Sequence, residues 1–329
     1  MKQAMLAVGV FGALLVVVLL TRDKGNVEVG VAKLDLPQVD RAKVTSIELS
    51  GAQTVFLKKD GAGWSVADAS KVFHAADEGA VNSLLEGLKD FHTELFVTEK
   101  PERVAELELD EAKGLELKVF TDAASPALDV VFGKAGKSGG TYLRAPKSNQ
   151  VFLTNSRLPT DARHQALRFR KRSFFPARAD KLAKIEIKKG DALALALETA
   201  GEGKWTLGAA TPTPAGFRFD PLAAQRVANT LGSAWATDFI DQGGDVLFAP
   251  PQATVEATTT EGKKVTMQVG SPIPASTDGG TPSQAGTPVR LEGDPQIYVV
   301  SNDQAVHFKK SVTDLRDTTL LKLDAQQAT

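Results

Sequence analysis

The chain has 329 residues, with 39 Lys and Arg against 40 Asp and Glu, 42% hydrophobic residues and no cysteine. The length gives room for about two ordinary domains, and the composition is globular. Near-zero net charge argues against a bulk electrostatic grip on nucleic acid, and zero cysteine excludes disulfides, thiolate metal sites and a cysteine nucleophile.

Residues 5–20 are an unbroken run of apolar residues and glycine, about 24 Å of helix against a hydrocarbon core of roughly 30 Å. Ala4 and Thr21 bring the run closer to a full span, and a small mismatch is tolerated. Lys2 precedes it; Arg22, Asp23 and Lys24 follow. It ends in Leu19-Leu20-Thr21-Arg22, with no small-x-small cleavage site close by. Residues 1–24 are therefore expected to be an uncleaved signal anchor, with a cleaved signal peptide or a buried core helix as alternatives. The favoured orientation places everything after Lys24 outside, although Arg22 and Lys24 pull against it. Residues 25–42 read as a connector broken by Pro37.

From Lys43 the period is that of strands, at 44–49, 54–57 and 64–66. Val81, Leu84, Leu85, Leu88 and Phe91 then share one face of a helix, with Asp77 near its N-terminus. A strand is expected at 94–97 and a short helix at 101–107, with Pro101 in its first turn. Strands at 115–120, 127–132, 141–144 and 150–153 and a helix at 156–167 complete a first unit, 43–178. The second unit, 179–329, runs in the same order. It has strands at 183–187, 193–197 and 205–207, a helix opened by Asp220-Pro221, then strands at 254–258, 265–269, 289–291 and 297–300.

The two units share spaced residues at nearly constant separation: Ile47 with Ile185, Trp64 with Trp205, Phe73 with Phe219, Val81 with Val227 and Leu85 with Leu231. Further along come Gly133 with Gly270, Arg144 with Arg290, Gln150 with Gln296 and Arg170 with Arg316. The separation shifts where turns are expected, and its return to the larger value after Gly133 and Gly270 falls in the Gly/Pro/Ser/Thr-rich stretch 271–288, where a loop insertion is cheap. A tandem duplication is expected; two unrelated halves of similar composition are the alternative. The expected fold class is α+β: one N-terminal transmembrane helix, then two tandem, mainly antiparallel sheet-plus-helix units of similar topology, with Trp64 and Trp205 in the cores.

No motif supports a catalytic assignment. Gly136-Lys137-Ser138 resembles the tail of a phosphate-binding loop, but Val131 stands where that pattern needs glycine, and a strand follows instead of a helix. The same stretch fits G-x-S-x-G, yet it runs from strand to strand. His74, His92, His164 and His307 are scattered, and Glu106, Glu108, Asp110 and Glu111, interleaved by Leu107 and Leu109, read as a half-exposed edge. No cofactor, metal or enzymatic activity is expected. The strongest charge bias comprises Arg163, Arg168, Arg170, Lys171, Arg172, Arg178, Lys181 and Lys184. Arg168, Arg170, Lys171, Arg172 and Arg178 are the candidate docking surface for anionic lipid or an acidic partner. The plainer reading is a solvated seam in which Arg170 and Arg316 pair internally.

Leu36-Pro37 leading to residues 44–49, Gly63-Trp64-Ser65-Val66, residues 80–85, Lys113-Gly114-Leu115-Glu116-Leu117, Phe132-Gly133, residues 141–144, Gln150-Val151-Phe152 and Leu315-Arg316-Asp317 together carry a resemblance. The pattern resembles a bacterial family of unknown function with one membrane anchor and a repeated α+β extracytoplasmic module, often encoded beside gliding-motility-type ABC transporter permeases. The resemblance implies a single-pass inner-membrane protein with its bulk in the periplasm. It also implies a non-enzymatic accessory role in an ABC-type permease and ATPase complex. A module binding an envelope glycan or lipid is the alternative, and an envelope hydrolase with an unrecognised site is a third.

Overall fold

A computed structural model describes residue 34 and residues 36–319, apart from 62, 123, 138, 202 and 276–284. The expected anchor, 1–24, lies outside the described residues, and among those described no helix is long and apolar enough to cross a membrane. The chain divides into Met1–Arg170 and Lys171–Thr329. That division precedes the sequence-drawn boundary after Arg178, because Phe174 and Phe175 bury their rings in the second unit's core.

The first unit is one antiparallel sheet of β1 (Ser46–Ser50), β2 (Thr54–Asp60), β3 (Gly63–Ala67), β4 (His74–Ala75), β5 (Leu95–Thr98), β6 (Leu115–Phe120), β7 (Leu128–Ala135), β8 (Thr141–Arg144) and β9 (Val151–Thr154), in the order β4-β3-β2-β1-β6-β7-β8-β9-β5. Alternation sets its faces: Ile47 and Leu49 on β1 and Leu115, Leu117 and Val119 on β6 point one way and are buried. Helix α1 (Glu78–Lys89) covers that face. It starts where the Asp77 carboxylate accepts from the Ala80 N–H at 2.8 Å, and it buries Val81, Leu84, Leu85 and Leu88. Each buried side chain contributes about 1.5–3 kcal/mol relative to exposure.

The opposite face carries a short helix, α2 (Pro101–Glu106), and a small cluster of Leu107, Leu109, Val131 and Val151. Leu107 and Leu109 are buried there in a loop, not spread along a half-exposed edge; the left-handed backbone of Glu108, at φ 59°, turns the acid outward between them. The single helix expected at 156–167 is two, α3 (Leu158–Ala162) and α4 (Ala166–Phe169), because Gln165 is extended. That break lets the Phe169 carbonyl accept from the Asp77 N–H at 2.7 Å while its ring is buried.

The second unit is an antiparallel sheet of β10 (Leu182–Lys189), β11 (Ala192–Thr199), β12 (Trp205–Leu207), β13 (Asp238–Ile240), β14 (Ala253–Thr259), β15 (Lys264–Val269), β16 (Thr287–Leu291) and β17 (Ile297–Val300), in the order β12-β11-β10-β14-β15-β16-β17-β13. Taken from β3 to β5, the first sheet has that same order of connections. Registers agree as well: Ile47 lies opposite Leu57 and Val119, and Ile185 opposite Leu197 and Ala257. Helix α5 (Pro221–Gly232), capped by Asp220, covers one face with α6 (Asn302–Phe308). The Asp220 N–H donates to the Leu315 carbonyl at 2.8 Å, as Asp77 does to Phe169.

Counting from these caps, Val81 corresponds to Ala224 and Leu84 to Val227. The sequence pairing of Val81 with Val227 is one helical turn out, because an amphipathic pattern looks alike after a three-residue slip.

Candidate functional site

A groove of about 510 Å³ opens on the face of the second sheet turned away from α5. Thr266 and Gln268 reach it because they alternate along β15 with the buried Val265, Met267 and Val269. Arg290 on β16 pairs with Gln268, and the turn leading to β17 supplies Glu292, Gly293 and Asp294. Gly293 sits at φ 82°, and the Glu292 N–H ties the turn to the Thr266 carbonyl at 2.9 Å. The Asp294 carboxylate accepts from the Gln296 N–H at 2.9 Å and the Tyr298 hydroxyl at 2.8 Å. Arg290 lines the groove as well, and its hydrogen bonds go outside the turn: its Nε donates to Gln268 Oε1 and its Nη1 to Asp245 Oδ1, each at 2.8 Å. Its guanidinium lies 4.4 Å over the Phe248 ring. Asp245 is 84% exposed, so stacking fixes the guanidinium more firmly than the ion pair does.

The first unit has the same turn with different contents. Ser148 N–H donates to the Ala145 carbonyl at 3.2 Å and Gln150 N–H to the Ser148 hydroxyl at 3.1 Å, with Lys147 at φ 60° where the second unit has Gly293. Arg144 donates from Nε to the Leu109 carbonyl at 2.9 Å and from Nη1 to the Ala145 and Ser148 carbonyls at 3.2 and 3.3 Å. Its guanidinium therefore lies in the turn. Nearby, burial and then the neighbouring Glu116 push the Asp129 carboxyl up, against the pull of Lys118, and Asp129 Oδ1 is buried without a partner.

The basic run predicted from sequence divides between the units. Arg168 is exposed; Arg170 is 9% exposed, and its backbone bridges to Ala76. In the second unit Lys171 and Arg178 are exposed, Arg178 lying 3.7 Å from Asp180. Arg172 is drawn inward: its Nε donates to the Ala236 carbonyl at 2.7 Å and its guanidinium stacks 4.9 Å from the Trp235 ring centroid. Arg163 donates to the Gly133 carbonyl, and Lys184 pairs with Glu186 at 3.0 Å. Arg316 stacks over Phe217 and bridges to Phe219 within its own unit. Gly136 and Gly140 close the connection between β7 and β8, the Gly136 N–H donating to the Gly140 carbonyl at 3.0 Å. Among the described residues no group of three or more His, Asp or Glu is placed to hold a metal ion.

His307 on α6 is held neutral: burial lowers its pKa, and Lys310 and Arg226 add to that. The unfolded chain takes up a proton near pH 6.5 that the folded chain resists. This group's contribution to stability is therefore complete above that pH and is lost as pH falls through it. Denaturant midpoints at pH 8 and pH 5 are expected to differ less in His307→Leu than in the parent.

A family model described as a domain of unknown function, DUF4340, matches residues 64–255. The chain belongs to that family. The DUF4340 match begins at Trp64 in the first sheet and ends at Val255 in the second, so it crosses from one compact unit into the other. No curated protein and no solved structure matches the chain. Sequence reading used Arg290 only as a repeat marker and passed over Gln268, Glu292 and Asp294. The available signal was Pro146-Lys147-Ser148 set against Glu292-Gly293-Asp294, an acidic replacement at two places in one turn.

Proposed function

We propose that the chain is a non-enzymatic accessory subunit of an ABC-type transport or gliding-motility-like complex, anchored by residues 1–24 and carrying two tandem copies of one α+β module on the extracytoplasmic side. The observation that carries this reading is the shared strand order and register of the two sheets, joined to their different outward faces. Duplication keeps the core and releases the surface, so the place where the copies differ is where a partner-specific surface arises. Most of the titratable side chains singled out from sequence serve turns, stacks or ion pairs within their own unit, which favours recognition over chemistry. Tethering raises the local concentration of a membrane partner, so weak contacts suffice.

The test is mild detergent extraction of the tagged full-length protein from its own host, with mass spectrometry of what stays bound. Permease and ATPase subunits in fixed stoichiometry are the expected result; reproducible recovery of the protein alone overturns the reading.

A further inference from the structure

The turns after Arg144 and Arg290 share a backbone and differ in what fills them. Both close with the same internal hydrogen bonds, at 3.2 Å in each copy, and both place a left-handed residue at the same step. In the first unit a guanidinium sits in the turn and donates to its two carbonyls, Ala145 and Ser148. In the second, the Arg290 guanidinium is held by Phe248, Gln268 and Asp245 instead of the turn's carbonyls, and Arg290 forms one wall of the groove there. The residues flanking the carbonyls change in the same direction: Pro146 and Ser148 become Glu292 and Asp294.

We propose that the groove of the second unit binds a guanidinium, the arginine side chain of a basic peptide segment on a protein partner. The first unit supplies the template, because its own arginine already occupies this kind of turn. The groove is lined by one cation, Arg290, against two carboxylates, Glu292 and Asp294, a net negative sign that the first unit's turn lacks. A planar fork can bridge two carbonyls and a carboxylate at once, which a lysine ammonium does less well. Asp294 is committed to Gln296 and Tyr298, so Glu292, which is exposed, is the side chain able to close on the incoming group. Glu292 reaches the groove from solvent, so the contact is screened by salt.

The inference rests on the protein-binding reading above. Its test uses the purified full-length protein in mild detergent and a short fluorescent peptide alternating arginine and glycine. A matched lysine peptide and a neutral oligosaccharide serve as comparators. Saturable binding of the arginine peptide is expected, about tenfold weaker in E292Q/D294S. Added salt and the lysine substitution are each expected to weaken it. D294S keeps an oxygen for the Gln296 N–H, as Ser148 does for Gln150; if the double variant melts lower than the parent, E292Q alone serves, since among the described residues the Glu292 side chain accepts no backbone hydrogen bond. Three outcomes overturn the inference: no saturation by the parent, equal affinity in a folded variant, or preference for the lysine peptide or the oligosaccharide. Loss of peptide binding with the extracted complex intact overturns the groove alone. Peptide binding without any co-extracted subunit overturns the transporter assignment alone.

Discussion

Phe132→Ala lowers the stability of the first unit by about 3–5 kcal/mol. Phe132 is fully buried and lies opposite Leu115 and Leu143 on the neighbouring strands. Its ring meets Phe91 edge-on at 5.7 Å, and Phe91 follows the end of α1, so the ring joins the sheet to the helix that covers it. Truncation loses the transfer energy of the ring, the edge-to-face contact worth about 0.5–1.5 kcal/mol, and packing around the cavity left behind. Urea titration of the full chain, with hydrogen exchange read at Leu115–Phe120, measures the loss where it arises. A drop below about 1 kcal/mol would mean that the site collapses freely, and that the ring is not central to the core.

Gly133→Ala is the second large effect, and its mechanism is the reverse, crowding in place of a void. A Cβ there would sit 2.2 Å from the Leu107 carbonyl oxygen and 2.8 Å from Leu109 Cγ. Backbone cannot yield as a side-chain tip can, so the loop 107–109 must lift. That breaks the Lys134 N–H bond to the Leu107 carbonyl, 3.0 Å in the native fold, and uncovers Val131. The expected cost is about 1–3 kcal/mol. The matched position is Gly270, where a Cβ would lie 2.8 Å from the Leu247 carbonyl and 3.1 Å from the Phe248 ring. Gly270→Ala should therefore cost less. A larger cost at Gly270 than at Gly133, in parallel urea titrations, would contradict the loop packing described for the two units.

Much of the architecture was legible because alternation and helical periodicity report burial directly. Ile47, Leu49, Leu117 and Val119 announce their strand faces, and Asp77 and Asp220 announce the helix starts. The losses have physical causes. The two-residue β4 is too short to show a period, and β13 is half-buried at all three positions and shows no alternation; the pairing of both comes from the strands beside them. Helix α6 went unpredicted because its buried residues, Ala305 and Phe308, are too few to draw a stripe. The basic run was legible as charge, but adjacency in sequence is not adjacency on a surface. Arg170 is buried, and Arg172 spends its guanidinium on Trp235 and the Ala236 carbonyl. The groove was hardest to foresee, because it depends on which way one arginine turns. Arg144 and Arg290 are the same residue at matched places, and the second is held by Phe248, Gln268 and Asp245 where the first binds the carbonyls of its turn.

The matched turns also offer the most direct test of the account as a whole. A photo-crosslinking residue placed at the exposed Pro295, beside the groove-lining Asp294, leaves both carboxylates in place and samples the groove in the full-length protein in native host membranes. The same residue at the exposed Asn149 samples the corresponding turn of the first unit, which its own arginine fills. A discrete adduct is expected from position 295, mapping to an arginine-containing segment of a membrane-complex subunit, and little from position 149. No adduct at 295, or equal labelling from the two positions, would contradict an arginine-binding groove in the second unit.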